Sequence, residues 1–258
     1  MQDRVSEILI YMKENLHEEQ SIEDIAGHFG YSKYYFSRTF KQTTGFAAAD
    51  YLSSLKVEQA KQDLLSKQAD VTHASLNAGF MSLGTFSKNF TEKTGLSPRE
   101  YINEVDRLYG LAQTLDHNLV YRDNNNLSCN KLTYQIHASV NYPEDFQPAI
   151  IFIGLFNTPI PNHRPVIGVA LKDNLHHTFK NIPRGRYYLL TCAVEKTLNP
   201  LRFFDLSDCL RGRIEQTIVL PGDHHKEFSL VLRPPLPEDP PILINLPQLL
   251  TDSFQRKG

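Results

Sequence analysis

Ile22-Glu23-Asp24-Ile25-Ala26, then Gly30-Tyr31-Ser32, Phe36-Ser37-Arg38-Thr39-Phe40 and Thr44-Gly45, is written twice in this chain. The second writing is Val71-Thr72-His73-Ala74-Ser75, Gly79-Phe80-Met81-Ser82, Phe86-Ser87-Lys88-Asn89-Phe90 and Thr94-Gly95. From the serine onward the copies are offset by 50 residues, and up to the glycine by 49; the extra residue is Met81. Two copies at one spacing are a duplication and not a solenoid. Each copy predicts a short apolar helix, a glycine turn, and a second helix opened by a serine whose hydroxyl caps the first turn. Gly45 and Gly95 stand where a left-handed residue ends a helix. A helical hairpin in a bundle would explain one copy alone. Matching caps, matching aromatics and a basic residue at one register, Arg38 and Lys88, favour two helix-turn-helix units, whose second helices can enter a DNA major groove.

Outward from the repeat, residues 2–16 place Val5, Ile8, Leu9, Met12 and Leu16 on one helical face. Ser21 with Asp24 three residues later predicts a capping box and a helix to about His28. Residues 47–66 read as one long connector with apolar positions on more than one face; about 20 residues span roughly 30 Å, close to the ~34 Å between successive major-groove faces. Ser97-Pro98-Arg99-Glu100 is an N-cap, a proline at N1 and a glutamate at N3. The helix it opens carries Tyr101, Ile102, Val105 and Leu108 and is expected to run towards Leu115.

Residues 5–105 resemble the DNA-binding domain of the AraC/XylS family of bacterial transcription regulators. The resemblance rests on Ile25-Ala26, Gly30 through Lys41, Gly45, Ala60, Leu64-Leu65, Ala78-Gly79-Phe80, Phe86 through Phe90, Thr94-Gly95-Leu96-Ser97-Pro98 and Tyr101. The chain departs from the family pattern at Lys56, where arginine is usual, at Phe46-Ala47-Ala48 in place of Ser-Pro, and at His73-Ala74 and Asn77. The family usually carries this domain last; here it comes first. In that family the open face of each second helix reads bases. The resemblance therefore implies base contacts by Tyr34, Ser37 and Arg38, and by Leu83, Gly84, Thr85 and Lys88. Arg38 suits guanine O6/N7, and Leu83 and Gly84 offer no side-chain hydrogen bond, leaving thymine methyls as their target. Ser32, Lys33, Lys41, Ser82 and Ser87 are the expected phosphate contacts, which set register. Phe36, Phe40, Phe86 and Phe90 read as core. Lys93 falls with Lys88 on the second helix of the second copy.

Bulk charge does not advertise a nucleic-acid partner. The chain is at −2, and residues 1–107 hold 12 Lys and Arg against 15 Asp and Glu, a net of −3. The basic residues must act by placement, and non-specific affinity is expected to be modest and salt-sensitive. No apolar run approaches the ~20 residues of a spanning helix, and no signal-peptide pattern opens the chain, so no membrane partner is expected. Cys129, Cys192 and Cys209 are three and scattered, which argues against a disulfide framework and for a cytoplasmic setting.

Past about Leu119 the helical period gives way. Asn124-Asn125-Asn126 marks a turn or linker. Leu132, Tyr134, Ile136, Ala138 and Val140 alternate with polar residues, and Ala149–Phe156, Arg186–Val194, Arg213–Leu220 and Glu227–Leu232 are further strand candidates. Strands in that number predict an antiparallel β-sandwich. Pro183-Arg184-Gly185 suggests a type II turn, and the "Pro-x-Gly-x-Tyr" run resembles prealbumin-like sandwiches. His176-His177 and His224-His225 raise a metal site, but strand neighbours face opposite ways. Arg184, Arg186, Arg211 and Arg213 could line an anion site, but read first as solvated turn charges. The stretch from Arg233-Pro234-Pro235 to Pro240-Pro241 reads as extended, polyproline-like chain, with Ile242–Leu246 and Leu249-Leu250 packing back on a sandwich or a partner.

The expected architecture is thus two domains: an all-α double helix-turn-helix over 1–108, a linker over 109–130, and an all-β antiparallel sandwich over 131–258. The expected function is sequence-specific transcription regulation, as an activator, with two recognition helices in successive major grooves. The β half is expected either to sense a small molecule or, without a ligand, to dimerise or contact RNA polymerase. Double-stranded DNA is the expected partner; RNA polymerase, a small-molecule effector and a second copy are the others this layout allows. No catalytic motif, cofactor motif or metal-ligand spacing is present in the sequence, and an enzyme fused to a DNA-binding half is the third reading.

Overall fold

In the computed structural model of the chain, the described residues are 1–18, 20–66, 70–104, 119–122, 133–172, 174–197, 199–246 and 248–249. They form two compact units. One comprises Met1–Glu104 together with Leu236–Ile244, the other Val105–Pro235 and Asn245–Gly258.

The helical unit holds α1 (Val5–Glu14), α2 (Ile22–His28), α3 (Lys33–Thr44), α4 (Ala48–Leu65), α5 (Val71–Asn77) and α6 (Leu83–Thr94). Residues 98–104 are helical as well, and the expected extension towards Leu115 lies outside the described residues. The capping signals act as their chemistry requires. Ser21 and Asp24 close a reciprocal capping box, as do Ser97 and Glu100, at 2.8 Å and 3.3 Å. These bonds hold the Asp24 and Glu100 carboxyls below their ordinary pKa values.

The duplication is structural down to single bonds. Ser32 accepts from the Tyr35 N–H and Ser82 from the Thr85 N–H. At the other end Gly45 and Gly95 take φ of 84° and 83°, and Thr44 and Thr94 each donate from Oγ1 to the carbonyl four residues back. Phe36, Phe40, Phe86 and Phe90 are fully buried, with ring centroids 5.6 Å and 5.5 Å apart within each pair.

The connector α4 has 18 residues and buries Tyr51, Leu55, Val57, Ala60 and Leu64, which do not lie on one stripe. It spans roughly 27 Å. Its N-cap is Ala47, in extended conformation at φ −72° and ψ 138°, with no side-chain bond to the first turn. The backbone is already that of a capped start, so Ala47→Ser is expected to stabilise the helical unit by about 1 kcal/mol in urea unfolding. No gain would mean the first turn is satisfied some other way.

Leu236–Ile244, expected as extended chain whose end from Ile242 packs back on a sandwich or a partner, is instead part of the helical unit. Pro237 and Glu238 form a turn, closed by Asp239 N–H to the Leu236 carbonyl at 3.0 Å and Leu236 N–H to the Asp239 carboxylate at 2.7 Å. From Asp239 to Ile244 every residue is buried. An extended chain in an apolar groove leaves backbone polar groups unpaired. Pro240 and Pro241 reduce that demand by having no N–H, and lysines meet two of the carbonyls, those of Asp239 and Ile242. The expected division is altered accordingly: 131–258 gives up this segment, and the expected linker over 109–130 contains a strand.

That strand is β1 (Leu119–Arg122), followed by β2 (Tyr134–Asn141), β3 (Pro148–Phe156), β4 (Ile167–Leu171), β5 (His176–Ile182), β6 (Gly185–Glu195), β7 (Leu210–Arg213), β8 (Ile218–Leu220) and β9 (Glu227–Val231). One sheet runs β1-β4-β3-β6-β7, with β8 also paired to β6; the other runs β5-β2-β9. Among the described residues, pairings between strands are antiparallel except β2 with β9, which is parallel. Inward residues of the two sheets, among them Ile136, Val140, Ile153, Val169, Phe179 and Leu189, share one core, so the layout is a sandwich.

Several expectations change in detail. The single strand over Arg213–Leu220 is two, β7 and β8, broken at 214–217. Pro183-Arg184-Gly185 is not a type II turn, because no residue in it has positive φ. Gly185 is required for room: a Cβ there would lie 2.8 Å from the Tyr187 hydroxyl, which donates to the Pro183 carbonyl at 3.0 Å. Arg211 is not a solvated charge; it is buried and donates to the carbonyls of Leu206 and Ser207, each at 2.7 Å. Asn124-Asn125-Asn126, Cys129, Leu132 and Leu250 lie outside the described residues.

Candidate nucleic-acid interface

The same register that buries the phenylalanines opens the opposite face of each second helix. On α3, Lys33, Tyr34, Arg38 and Lys41 are exposed and Ser37 is half-buried; on α6, Leu83, Gly84, Thr85 and Lys88 are exposed and Ser87 is half-buried. Ser32 and Ser82, at the two N-caps, are exposed as well. Tyr34 is 88% exposed, an arrangement that wastes apolar surface unless something covers it. Arg38 has no ion-pair or hydrogen-bond partner among the described residues, so its five donors point to solvent. Lys88 and Lys33 are held only loosely, by Glu92 at 4.0 Å and Glu23 at 3.3 Å, with all four side chains more than half exposed. Pairs of this kind contribute about 0–1 kcal/mol and give way readily to a phosphate.

The second unit is chemically different from the first. The Ser82 hydroxyl donates to Thr85 Oγ1 at 3.0 Å while accepting the Thr85 N–H, so these two polar groups are engaged with each other. Leu83 is 46% exposed and Met81, just before the cap, 82%. Met81 is given no contact by the family resemblance; its signal in the sequence is that it is the residue inserted between the copies.

Two lysines on this surface are structural. Lys93 lies on the second helix as expected, but it is buried, its ammonium 2.5 Å from Asp50 of α4, so its charge does not add to that of Lys88 on the open face. Lys56 donates to the Gly79 carbonyl at 2.7 Å and lies 5.9 Å from the centroid of Phe80. With Ser53 to Asn89 at 2.8 Å and Asn77 to Asp63 at 2.8 Å, these bonds fasten the connector to the second helix-turn-helix.

In the β unit, a groove of about 510 Å³ is lined by His137, Asn174, His176, His177, Thr178 and Glu227, with Ala138. His137 Nδ1 and Thr178 Oγ1 are 3.0 Å apart. No group of three or more His, Cys, Asp or Glu among the described residues could hold a metal ion. Burial lowers the His177 pKa from its ordinary 6.5. The folded β unit therefore favours neutral imidazole, and this contribution is complete above about pH 6.5 and lost as pH falls through the lowered value. Thermal unfolding of the full chain should show a β-unit transition that drops between pH 7 and 5 and a smaller drop in His177→Asn; equal drops would mean other groups titrate there. No helix among the described residues is long and apolar enough to cross a membrane.

A family model described as a helix-turn-helix domain matches residues 13–104. The HTH-type transcriptional activator AarP of Providencia stuartii is 32% identical over 97 residues, covering 38% of this chain and 72% of that protein. An uncharacterized HTH-type transcriptional regulator of Staphylococcus aureus (strain MRSA252) is 25% identical over 210 residues, covering 79% of this chain. The chain spans only 27% of that relative's length. Among solved structures, the DNA-binding domain of AdpA in complex with a target DNA matches at 28% identity, with a TM-score of 0.38, covering 40% of this chain and 94% of that one. An AraC-type regulator from Chromobacterium violaceum matches at 29%, with a TM-score of 0.37, covering 40% and 92%.

Proposed function

The chain belongs to the AraC family of helix-turn-helix, DNA-binding transcription regulators, and from that premise we propose that α3 and α6 enter successive major grooves of one DNA site. The observation that carries this reading is the equivalence of Arg38 and Lys88: both are exposed, at one register, on helices whose opposite faces are buried phenylalanine pairs. Tyr34, Ser37 and Arg38 read bases in one groove and Leu83, Thr85 and Lys88 in the next. Ser32, Lys33, Lys41, Ser82 and Ser87 set the register on phosphates. Methylation interference tests it, because guanine N7 lies in the major groove. Two interfering patches about one helical turn apart support the reading, and one patch or none overturns it.

Lys88→Ala is expected to cost affinity more than sequence choice, because the ammonium adds its charge to its contact with the base edge: the slope of log affinity against log salt should fall by about 0.9, with a slight change in preferred sequence. A clear switch in preferred sequence, with the slope intact, would mean that the charge of Lys88 plays no part.

The β unit modulates this binding. Its histidine-lined groove, with donors and acceptors from imidazole, amide, hydroxyl and carboxylate, suits a small polar effector. Titrating the full chain with polar metabolites by calorimetry, with and without His137→Ala, tests that assignment; heat unaffected by the substitution would move the effector elsewhere. The rival role for this unit, dimerisation or contact with RNA polymerase, has support in Val231 and Val219, 63% and 43% exposed. Activation is the direction we assign, since AarP is described as an activator.

A further inference from the structure

We infer that Leu236–Ile244 is a strut that sets the spacing of the two recognition helices, and through which the β unit acts on DNA binding. The inference rests on the DNA-binding reading above and adds a regulatory route to it.

The strut is gripped from two helices that are far apart in sequence. On α1, the Lys13 ammonium donates to the carbonyls of Pro237 and Asp239 at 2.7 Å and 3.4 Å, and the Ser6 hydroxyl donates to Glu238 at 2.8 Å. On α4, Lys61 donates to the carbonyl of Ile242 at 3.2 Å. Lys61 is only 3% exposed. A lysine head is rarely buried without strong partners, so this contact fixes where α4 can lie. Between Asp239 and Ile242 the chain advances about 10 Å, near the 8–10 Å that separates packed helices. Two consecutive prolines stiffen that interval. The arrangement is a short rigid spacer between α1 and the connector.

α1 and α4 do not themselves read bases, but they carry the helices that do. α4 is bonded through Lys56, Asp50, Ser53 and Asp63 to the second helix-turn-helix. α1 packs its buried Ile8, Leu9 and Met12 within the first half of the unit, where Tyr11 stacks on His28 of α2 at 4.2 Å. A change in the distance held by the strut therefore becomes a change in the offset of α3 from α6. At Pro235 and at Asn245 the chain continues into the β unit. Strain arriving at either end is delivered to Lys13 and Lys61 by covalent connection alone, which is the physical element a regulatory route requires.

The test uses the full chain with its three cysteines replaced by alanine and spin labels on Gln42→Cys and Glu92→Cys, equivalent exposed positions of α3 and α6. Pulsed dipolar spectroscopy reads the distribution of distances between them. Pro240→Gly/Pro241→Gly slackens the spacer without removing any of the side chains that grip it, and Lys61→Met removes one grip; should the second unfold, the first still decides. Both are expected to widen the distribution at least twofold. In parallel, binding to a site with one base pair inserted between its halves, expected to cost the parent about tenfold, should cost the slackened variant less than threefold. A distribution as narrow as the parent's overturns the strut. A widened distribution, with a parent indifferent to the insertion, leaves the strut standing and overturns the two-groove reading.

Discussion

Arg38→Ala is expected to weaken binding of the full chain to its selected site by about 10- to 100-fold, or ~1–3 kcal/mol, and to relax preference at one or two adjacent base pairs. The size follows from what the structure leaves around the guanidinium. Arg38 is exposed, so truncation should cost the fold little. Arg38 also has no partner to forfeit among the described residues, so the whole loss should appear in the complex. A planar fork suits guanine O6 and N7 together, which a lysine cannot match. Arg38→Lys is therefore expected to restore much of the salt-dependent affinity but not the base preference. Competition gel shifts against single-base variants of the site measure both. Undiminished preference in Arg38→Ala would remove this residue from the reading surface and make it a phosphate contact or nothing.

Gly79→Ala is expected to be the most damaging small substitution in the helical unit. The residue has φ of +70°, where an added Cβ costs roughly 1–2 kcal/mol on backbone grounds alone. That Cβ would also fall 2.2 Å from the Leu16 carbonyl oxygen, a backbone atom that cannot rotate away. Gly30, its counterpart in the first copy, has φ of +76° and nothing within 4 Å of the same Cβ. The pair is thus a controlled comparison. Gly30→Ala should lose about 1–2 kcal/mol of urea stability, and Gly79→Ala clearly more, with the turn forced away from Leu16 and from the Lys56 bond to the Gly79 carbonyl. Equal losses would show that the close approach to Leu16 is not maintained in solution.

These two positions also show what could be read from the sequence and what could not. Arg38 was legible because helix caps and helical period are local: Ser32 at the N-cap and Gly45 at the end fix which residues of α3 face out. The two phenylalanines of each copy then assign the buried side. The burial of Lys93 was not legible because its environment is not local. It stands at the register of the exposed Thr43 of the first copy, and Asp50, 43 residues away, holds it in the core. Where the proline-rich run after Arg233 packs was not legible for the same reason. Its composition describes a spacer, while its burial depends on Lys13 and Lys61, separated from it by about two hundred residues of chain. In the β unit, β2 was readable from its strict alternation. His176–Ile182 was not, since only Phe179 and Ile182 are fully buried in a strand that is otherwise polar.

The central claim is that two recognition helices of one chain read one DNA site at the pitch of the double helix. Selection of bound sequences from a random duplex pool with the full chain addresses it most directly. Two short preferred blocks, with centres about 10–10.5 base pairs apart and the stronger one lost in Arg38→Ala, are the predicted result. A single block, or blocks whose separation varies freely from one selected sequence to the next, would contradict it.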